Sequence, residues 1–293
     1  MDKLQVIEIE RFAIHDGPGI RSVIFLQGCP LHCPWCANPE SQAFHQQVFY
    51  THNRCVGCLA CVNCCEQKAI TYTDKIVIEQ SMCNGCGKCA DACVNDALAL
   101  VHKEMTITEI LDIIKKDDAY YQSSGGGITI SGGEALVHPH IVDLVKALKE
   151  HKYHVALETT GQVSWSVLEQ VDAYVDLYLW DMKHYDGHKL LSIGANKEII
   201  VSNLQRISKD KVIARIPVIE DYNLNDVEEL LAFVSSIGIS RVDLLPFHRM
   251  GESKYRKLNR EYAYRDMASM NKEVLMNFVE VGKKYQLLVK IGG

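Results

Sequence analysis

The chain of 293 residues has little of what marks several protein classes. No apolar run approaches the roughly 20 residues that span a bilayer, so a membrane protein is not expected. Lys and Arg total 31 against 37 Asp and Glu and are scattered, and the missing basic stripe argues against nucleic acid. Residues 1–14 lack the unbroken apolar core of a signal peptide. We therefore expect a cytoplasmic protein.

Cysteine is absent from the last two-thirds of the chain, because all 12 cysteines lie between Cys29 and Cys93. Ordinary buried cysteines would scatter with the apolar core. In the reducing cytoplasm, clustered cysteines indicate metal ligands rather than disulfides. With 47% hydrophobic residues, the chain can bury the core of one large domain, alone or with a small insert.

Three cysteines form a short loop of their own. Cys29, Cys33 and Cys36 have C-x3-C-x2-C spacing after an apolar strand candidate at residues 22–26, and no fourth cysteine accompanies them. Soft thiolates suit iron-sulfur clusters, and three can hold three irons of a 4Fe-4S cube. The fourth iron is then free to bind a substrate or a cofactor.

The other nine cysteines lie at residues 55–93, where a C-x2-C-x2-C-x3-C run recurs after 28 residues. This is the pattern of bacterial two-cluster ferredoxins, in which the fourth cysteine of each run ligates the other cluster. Neither fourth cysteine is followed by proline, and the extra thiol of Cys64 leaves the fourth ligand of the second cluster open between Cys64 and Cys65. The predicted sets are Cys55, Cys58, Cys61 with Cys93, and Cys83, Cys86, Cys89 with Cys65.

The main alternative for this segment is structural zinc, because C-x2-C pairs are common zinc ligands. Zinc sites usually place a longer loop between two pairs, whereas here three cysteines recur at one fixed interval, which favours two 4Fe-4S clusters. These clusters could relay electrons to the open cluster or could brace the segment and a docking surface.

From about residue 101, apolar strand patterns alternate with amphipathic helical patterns. This alternation predicts an α/β fold with a parallel sheet, open or rolled into a full or partial barrel, with its chemistry at the carboxyl ends of the strands. Helices are predicted at 141–149, 227–234 and 272–285. Strands are predicted at 22–26, 128–130, 155–157, 177–180, 212–216, 242–245 and 287–291.

Several short motifs that flank these strands resemble one known family. Residues 131–134 (Ser-Gly-Gly-Glu), behind a three-cysteine loop, are similar to the GGE motif of the radical S-adenosylmethionine superfamily. Nearly end to end, the chain resembles the glycyl radical enzyme activating enzymes, and most closely the subgroup with a ferredoxin-like insert. The other matching stretches are residues 15–21 (HDGPGIR), Trp35, 38–40 (NPE), 158–161 (ETTG), 181–183 (DMK), Arg215 and 244–248 (LLPFH).

The resemblance implies a partial (β/α)6 TIM-type barrel at residues 1–50 and 101–293, and a ferredoxin-like insert at 51–100. It also implies that S-adenosylmethionine chelates the open iron. The residues expected around this cofactor are Gly132, Gly133 and Glu134 at its amino group, Lys183 and Arg215 at its carboxylate, and His248 and Trp35 near its adenine.

Two further sites are implied by the resemblance. Glu158, Thr159, Asp181 and the Met182 carbonyl would form a small monovalent cation site, although relatives often have Asp at the position of Glu158. Asp16 would lie where a partner's glycine loop enters. Ordinary structural explanations also exist, since His248 could be a loop histidine, Trp35 a core residue, and Asp181 with Lys183 a surface ion pair.

The implied function is an oxidoreductase that works anaerobically. The reduced open cluster cleaves S-adenosylmethionine to a 5'-deoxyadenosyl radical, which abstracts hydrogen from a glycine of a partner glycyl radical enzyme. A flavodoxin- or ferredoxin-type protein would supply the electron. The alternatives are a radical enzyme acting on another peptide or a small molecule, and a ferredoxin-type electron carrier. The basic run at 253–257 is expected to be a solvated face that could contact a partner protein.

Overall fold

The computed structural model describes residues 3–292 and is organised around a nine-stranded sheet. Residues 1, 2 and 293 of the predicted barrel lie outside the described residues. The strands are β1 Leu4–Ala13, β2 Arg21–Leu26, β3 Val48–Tyr50, β4 Ile70–Tyr72, β5 Ile76–Ile78, β6 Leu98–Leu100, β7 Lys103–Met105, β8 Gly127–Gly132, β9 Val155–Thr159, β10 Leu177–Asp181, β11 Val212–Val218, β12 Arg241–Pro246 and β13 Leu288–Ile291.

Helices lie between the strands and after them. The helices are α1 Ala60–Cys64, α2 Lys88–Asp91, α3 Ile107–Ile114, α4 Asp118–Ser124, α5 Ile141–Glu150, α6 Trp165–Asp172, α7 Gly187–Ser192, α8 Lys197–Arg206, α9 Val227–Ser236, α10 Glu252–Lys257 and α11 Met276–Lys284. The predicted α/β alternation is therefore confirmed.

The large sheet runs in the order β13-β12-β11-β10-β9-β8-β2-β1-β7. The seven strands from β13 to β2 are parallel, one more than the six of the predicted barrel. At the other edge, β1 and β7 pair antiparallel. Neither of these two strands was predicted, because their alternating charged and apolar residues lack the continuous apolar run of a strand that is buried on both faces.

The helices follow from apolar spacing and from capping residues. In α5, Ile141, Leu144, Val145 and Leu148 recur on one buried face. The predicted helix at 272–285 is divided, because the Asn271 side chain accepts the Glu273 N–H and starts a separate 3-10 turn before α11. The carboxyl ends of the parallel strands meet at one edge of the sheet, which brings distant segments of the chain together there.

Residues 48–100 form a smaller unit whose two halves repeat each other. An antiparallel β3–β6 ladder encloses α1, the β4–β5 hairpin and α2. Backbone residues with positive φ recur 28 positions apart, at Gly57 and Gly85, Leu59 and Gly87, and Lys68 and Asp96. The unit has its own apolar cluster, which includes Val48, Ile70, Ile76 and Leu98. A duplicated backbone therefore accompanies the duplicated cysteine spacing.

Candidate active site

The three-cysteine loop follows β2 and forms one wall of a cavity of about 480 Å³ at the carboxyl edge of the sheet. Cys29, Cys33 and Cys36 all line this cavity. The segment after the loop holds the start of the loop in place, because the Gly28 N–H donates to the Ser41 carbonyl at 2.9 Å. The sequence prediction that these three thiols share one site therefore agrees with where the structure places them.

The surroundings of these thiols suit a bound metal centre. Burial raises the pKa of all three, to about 12 for Cys33. A buried thiolate has a free-energy cost, because its negative charge is removed from water. Cationic irons offset this cost, since metal binding favours the deprotonated sulfur. Among the described residues no other cysteine lines this cavity, so the donor set is three sulfurs. That set fits an iron-sulfur cluster with one iron open to a ligand.

Gly132 and Gly133 lie against the backbone that leads into the three-cysteine loop. A β-carbon on Gly133 would lie 2.1 Å from the Gly28 carbonyl oxygen, and one on Gly132 would lie 2.1 Å from the Leu26 carbonyl oxygen. Two hydrogen bonds join the same segments, from the Gly133 N–H to Leu26 and from the Glu134 N–H to Gly28. Glycine is therefore required here for contact between two protein segments as well as for exposure to the cavity.

Glu134 lies behind the cavity wall and is 1% exposed. Its carboxylate accepts the Thr159 hydroxyl at 2.7 Å, and the Thr160 N–H and hydroxyl at 2.8 and 2.7 Å. A longer bond comes from the Leu136 N–H at 3.4 Å. Burial raises the pKa of Glu134, and these hydrogen bonds oppose that effect. The carboxylate therefore holds the end of β9 in place.

Two buried ion pairs lie in the cavity wall. Glu158 accepts the Arg215 guanidinium at 2.9 Å and is also bonded by the Ser131 hydroxyl. Lys183 pairs with Asp181 at 2.7 Å, and both side chains are only 15% exposed, so this is not a surface pair. Burial raises the pKa of Glu158, although the Arg215 charge lowers it. Burial lowers the pKa of Lys183, but the nearby Asp181, Cys33 and Glu158 together outweigh this effect and the net pKa is raised.

Trp35 and His248 lie at the same cavity. Trp35 is 7% exposed and packs on Tyr222 at 4.4 Å between ring centroids, with Tyr264 at 6.3 Å. It is thus a core residue that also faces the cavity. Burial lowers the pKa of His248, which keeps its imidazole neutral at pH 7. These two aromatic residues offer planar ring surface at the cavity of the three thiols.

Asp16 lines the cavity, with its carboxylate 3.7 Å from Arg215, and its segment is fixed by a buried network. The Arg21 guanidinium donates to the Thr129 hydroxyl at 2.6 Å and to the Pro18 carbonyl at 3.1 Å. The Thr129 hydroxyl donates to the Asp16 carbonyl at 2.6 Å. Burial lowers the pKa of Arg21 to about 10. Thr129 is not predicted from the sequence, because its only signal is a hydroxyl between two isoleucines of a buried strand.

Eight of the nine remaining cysteines line two further small cavities. Cys55, Cys58, Cys61 and Cys93 line the first. Cys65, Cys83, Cys86 and Cys89 line the second, whereas Cys64 does not and instead contacts the Cys61 carbonyl at 3.5 Å. Among residues 3–292, no three Cys, His, Asp or Glu side chains converge on a single ion. The two groups of four are those that the sequence spacing predicts.

One expectation about the surface is corrected. Within the basic run at 253–257, Lys254 turns inward, where it pairs with the buried Glu40 and donates to Asn38 at 2.7 Å. Helix α10 is thereby joined to the segment that follows the three cysteines. The reason is that Glu40, 1% exposed, requires a cation when it is removed from water.

Similarity to known proteins shows the family to which this chain belongs. The Radical SAM superfamily model matches residues 80–234. The choline trimethylamine-lyase activating enzyme of Oleidesulfovibrio alaskensis is 36% identical over 99% of this chain and 98% of its own length. The trans-4-hydroxy-L-proline dehydratase activating enzyme of Clostridioides difficile is 38% identical over 98% of this chain and 99% of its own length.

A solved structure shares the fold. Streptococcus suis SuiB bound to S-adenosylmethionine gives a TM-score of 0.50 at 15% identity, with 65% of this chain and 44% of that chain covered. The family model and the full-length relatives show that the chain belongs to the glycyl radical enzyme activating enzymes of the radical S-adenosylmethionine superfamily. No helix within residues 3–292 combines the length and apolar character needed to cross a membrane.

Proposed function

We propose that the cavity beside the three-cysteine loop binds a 4Fe-4S cluster and S-adenosylmethionine, and that the protein uses them to place a radical on a glycine of a partner enzyme. Cys29, Cys33 and Cys36 would be the cluster ligands. The observation that carries this proposal is their position in one cavity with the cations and aromatic residues expected around S-adenosylmethionine. When bound, these cofactors supply a 5'-deoxyadenosyl radical that abstracts hydrogen.

The chain's own contribution is to orient the bound molecules. Lys183 and Arg215 carry fixed positive charge in the cavity wall and would meet the methionine carboxylate. Trp35 and His248 would flank the adenine. Asp16, held by its backbone bond from Thr129, would meet the entering glycine loop. Such positioning removes the entropic cost of bringing three reactants into line.

Glu134 and the glycines before it would form the side that meets the methionine ammonium. The acceptor positions of the Glu134 carboxylate are occupied by the two threonines and by Leu136. Direct contact with the ammonium therefore requires a threonine hydroxyl to rotate away. While its hydroxyl donates to Glu134, Thr159 is held at the cavity.

We also propose a site for a monovalent cation, formed by Glu158, Thr159, Asp181 and the Met182 carbonyl. In the structure the two carboxylates are paired with Arg215 and Lys183. If those two cations turn to a ligand carboxylate, a small cation would restore neutrality between Glu158 and Asp181. The physical reason is that a buried carboxylate without a cationic partner is strongly destabilising.

For the 48–100 segment we propose two auxiliary 4Fe-4S clusters in a ferredoxin-like insert. The four-and-four division of the cysteines around two cavities supports this, and it favours Cys65 over Cys64. A flavodoxin- or ferredoxin-type protein would supply the electrons. The domain division at 51 and 100 and the cytoplasmic location stay predictions.

The decisive experiment measures 5'-deoxyadenosine made by anaerobically reconstituted protein with dithionite and S-adenosylmethionine. We expect product from the wild type and at least a hundredfold less from Cys33→Ala, because two thiolates do not hold the open cluster. Cys64→Ala is the matched control and should keep the activity. Product from Cys33→Ala would contradict the site assignment. No product from fully iron-loaded wild type would favour an electron carrier instead.

A further inference from the structure

A groove of about 940 Å³ lies between the cysteine-rich unit and helix α10, away from the cavity already described. One wall comes from residues 50–53 and from the β4–β5 hairpin, and the other comes from α10 and the turn after it. Its charged lining is mainly positive and consists of Lys75, Arg256, Lys257, Arg260 and the single acid Glu261.

These cations are not neutralised from within. Neither Lys75 nor Arg256 has an ion-pair partner in the part of the chain that the structure describes, and both side chains are exposed. Lys257 lies over the Phe49 ring at 5.6 Å, which leaves its charge intact. The acid Glu261 is already paired with Arg265 at 2.8 Å. The groove is therefore a local positive surface on a chain whose net charge is −6.

The floor of the groove adjoins one of the cysteine-lined cavities. Tyr50 is 4% exposed and lines both the groove and the cavity of Cys55, Cys58, Cys61 and Cys93. One side chain thus separates the groove from the sulfur atoms.

The opposite wall reaches the three-cysteine loop. A β-carbon on Gly251, just before α10, would lie 3.0 Å from the Cys36 carbonyl oxygen. The Tyr255 hydroxyl contacts the Pro34 carbonyl at 3.5 Å, and Arg260 donates to the Pro39 carbonyl at 3.0 Å. The groove thus lies between the cysteine-rich unit and a helix that adjoins the three-cysteine loop.

We propose that this groove docks a small acidic one-electron carrier protein, which reduces the auxiliary cluster behind Tyr50. The inference rests on the proposed function in one respect, namely that this cavity holds a cluster. In the step, the carrier is oxidised by one electron and the cluster is reduced by one, with no bond or proton exchanged. Electron-transfer encounters bury little area and depend on charge complementarity, which suits an unpaired basic groove.

The test uses the cluster-loaded protein with a bacterial flavodoxin as the acidic carrier, because flavin absorbance is separable from that of iron and sulfur. Lys75→Glu, Arg256→Glu and the double variant are compared with Lys116→Glu, an exposed lysine outside the groove. Lys75 lies in the β4–β5 turn, so its reversal leaves α10 unchanged. The readouts are Kd against salt concentration and the rate of flavin oxidation.

We expect at least a tenfold rise in Kd for the double variant at low salt, a shallower salt dependence, and a slower flavin oxidation. Lys116→Glu should behave as the wild type, and product formation with dithionite should be unchanged in all variants. Equal Kd values for the double variant and Lys116→Glu, or no flavodoxin binding by the wild type, would overturn the proposal. Because binding is read without S-adenosylmethionine, these results are independent of the cleavage assay.

Discussion

Gly133 shows how closely two distant parts of the chain must approach at the candidate site. Its backbone lies so near the Gly28 carbonyl that a methyl group would come within 2.1 Å of the oxygen. We predict that Gly133→Ala displaces the three-cysteine loop, lowers 5'-deoxyadenosine formation by at least tenfold and removes about four irons per chain. The measurements are anaerobic product formation and iron content.

The control for this substitution is Gly187→Ala. Gly187 begins α7 without positive φ, and a β-carbon there would meet only the Lys197 side chain, at 3.7 Å or more. This variant should keep its iron and its activity, since alanine favours a helix. Full activity in Gly133→Ala would mean that the close approach is not needed for the cluster.

At the scale of elements, β1 pairs with β2 and β7 in the sheet and is also bonded to a buried histidine outside the sheet. The Gln5 N–H of β1 donates to Nε2 of His138 at 3.2 Å. Burial lowers the pKa of His138 to about 4, with a smaller effect from His140. Since an unfolded histidine titrates near 6.5, the unfolded chain binds more protons between pH 6.5 and 4, and stability is lost as the pH falls through that window.

We predict that this linkage contributes up to about 2 kcal/mol to the acid destabilisation, after allowance for solvent screening. His138→Gln keeps an acceptor for β1 but does not titrate. Its urea midpoint should fall less than that of the wild type between pH 7 and pH 5. Parallel falls in the two midpoints would show that His138 is not the titrating group.

Elements differ in how far the sequence predicts them. The seven parallel strands are predicted because each is a short run rich in apolar residues, and β2, β8, β9 and β10 are buried on both faces. The link from Glu134 to Thr160 is not, because it depends on how the ends of β8 and β9 lie beside each other. The glycines of the 131–134 motif are predicted to approach a ligand, whereas their contact with Leu26 and Gly28 emerges only from the strand pairing.

At the scale of the whole molecule, the cysteine-rich unit and the large sheet have separate apolar cores. We predict that Cys58→Ala removes about four irons and destabilises residues 48–100, while the three-cysteine site keeps its cluster. Cys64→Ala should retain all iron, because Cys64 lies outside both cavities of the unit. Iron content and limited proteolysis measure both effects.

The same variant separates the two roles considered for the auxiliary clusters. If they relay electrons, Cys58→Ala with an intact three-cysteine cluster loses its activity when flavodoxin is the donor. If they only brace the unit, the activity per intact three-cysteine cluster is kept. Loss of the three-cysteine cluster in Cys58→Ala would contradict the independence of the two cores.

The pairing of β3 with β6 has a consequence for the history of the gene. The chain leaves the large sheet after β2 and returns at β7 and β8, and the two ends of the excursion lie side by side in one ladder. β2 and β8 are themselves neighbours in the sheet. A lineage can therefore gain or lose this stretch of coding sequence in a single recombination event, and the order and direction of the other strands stay the same.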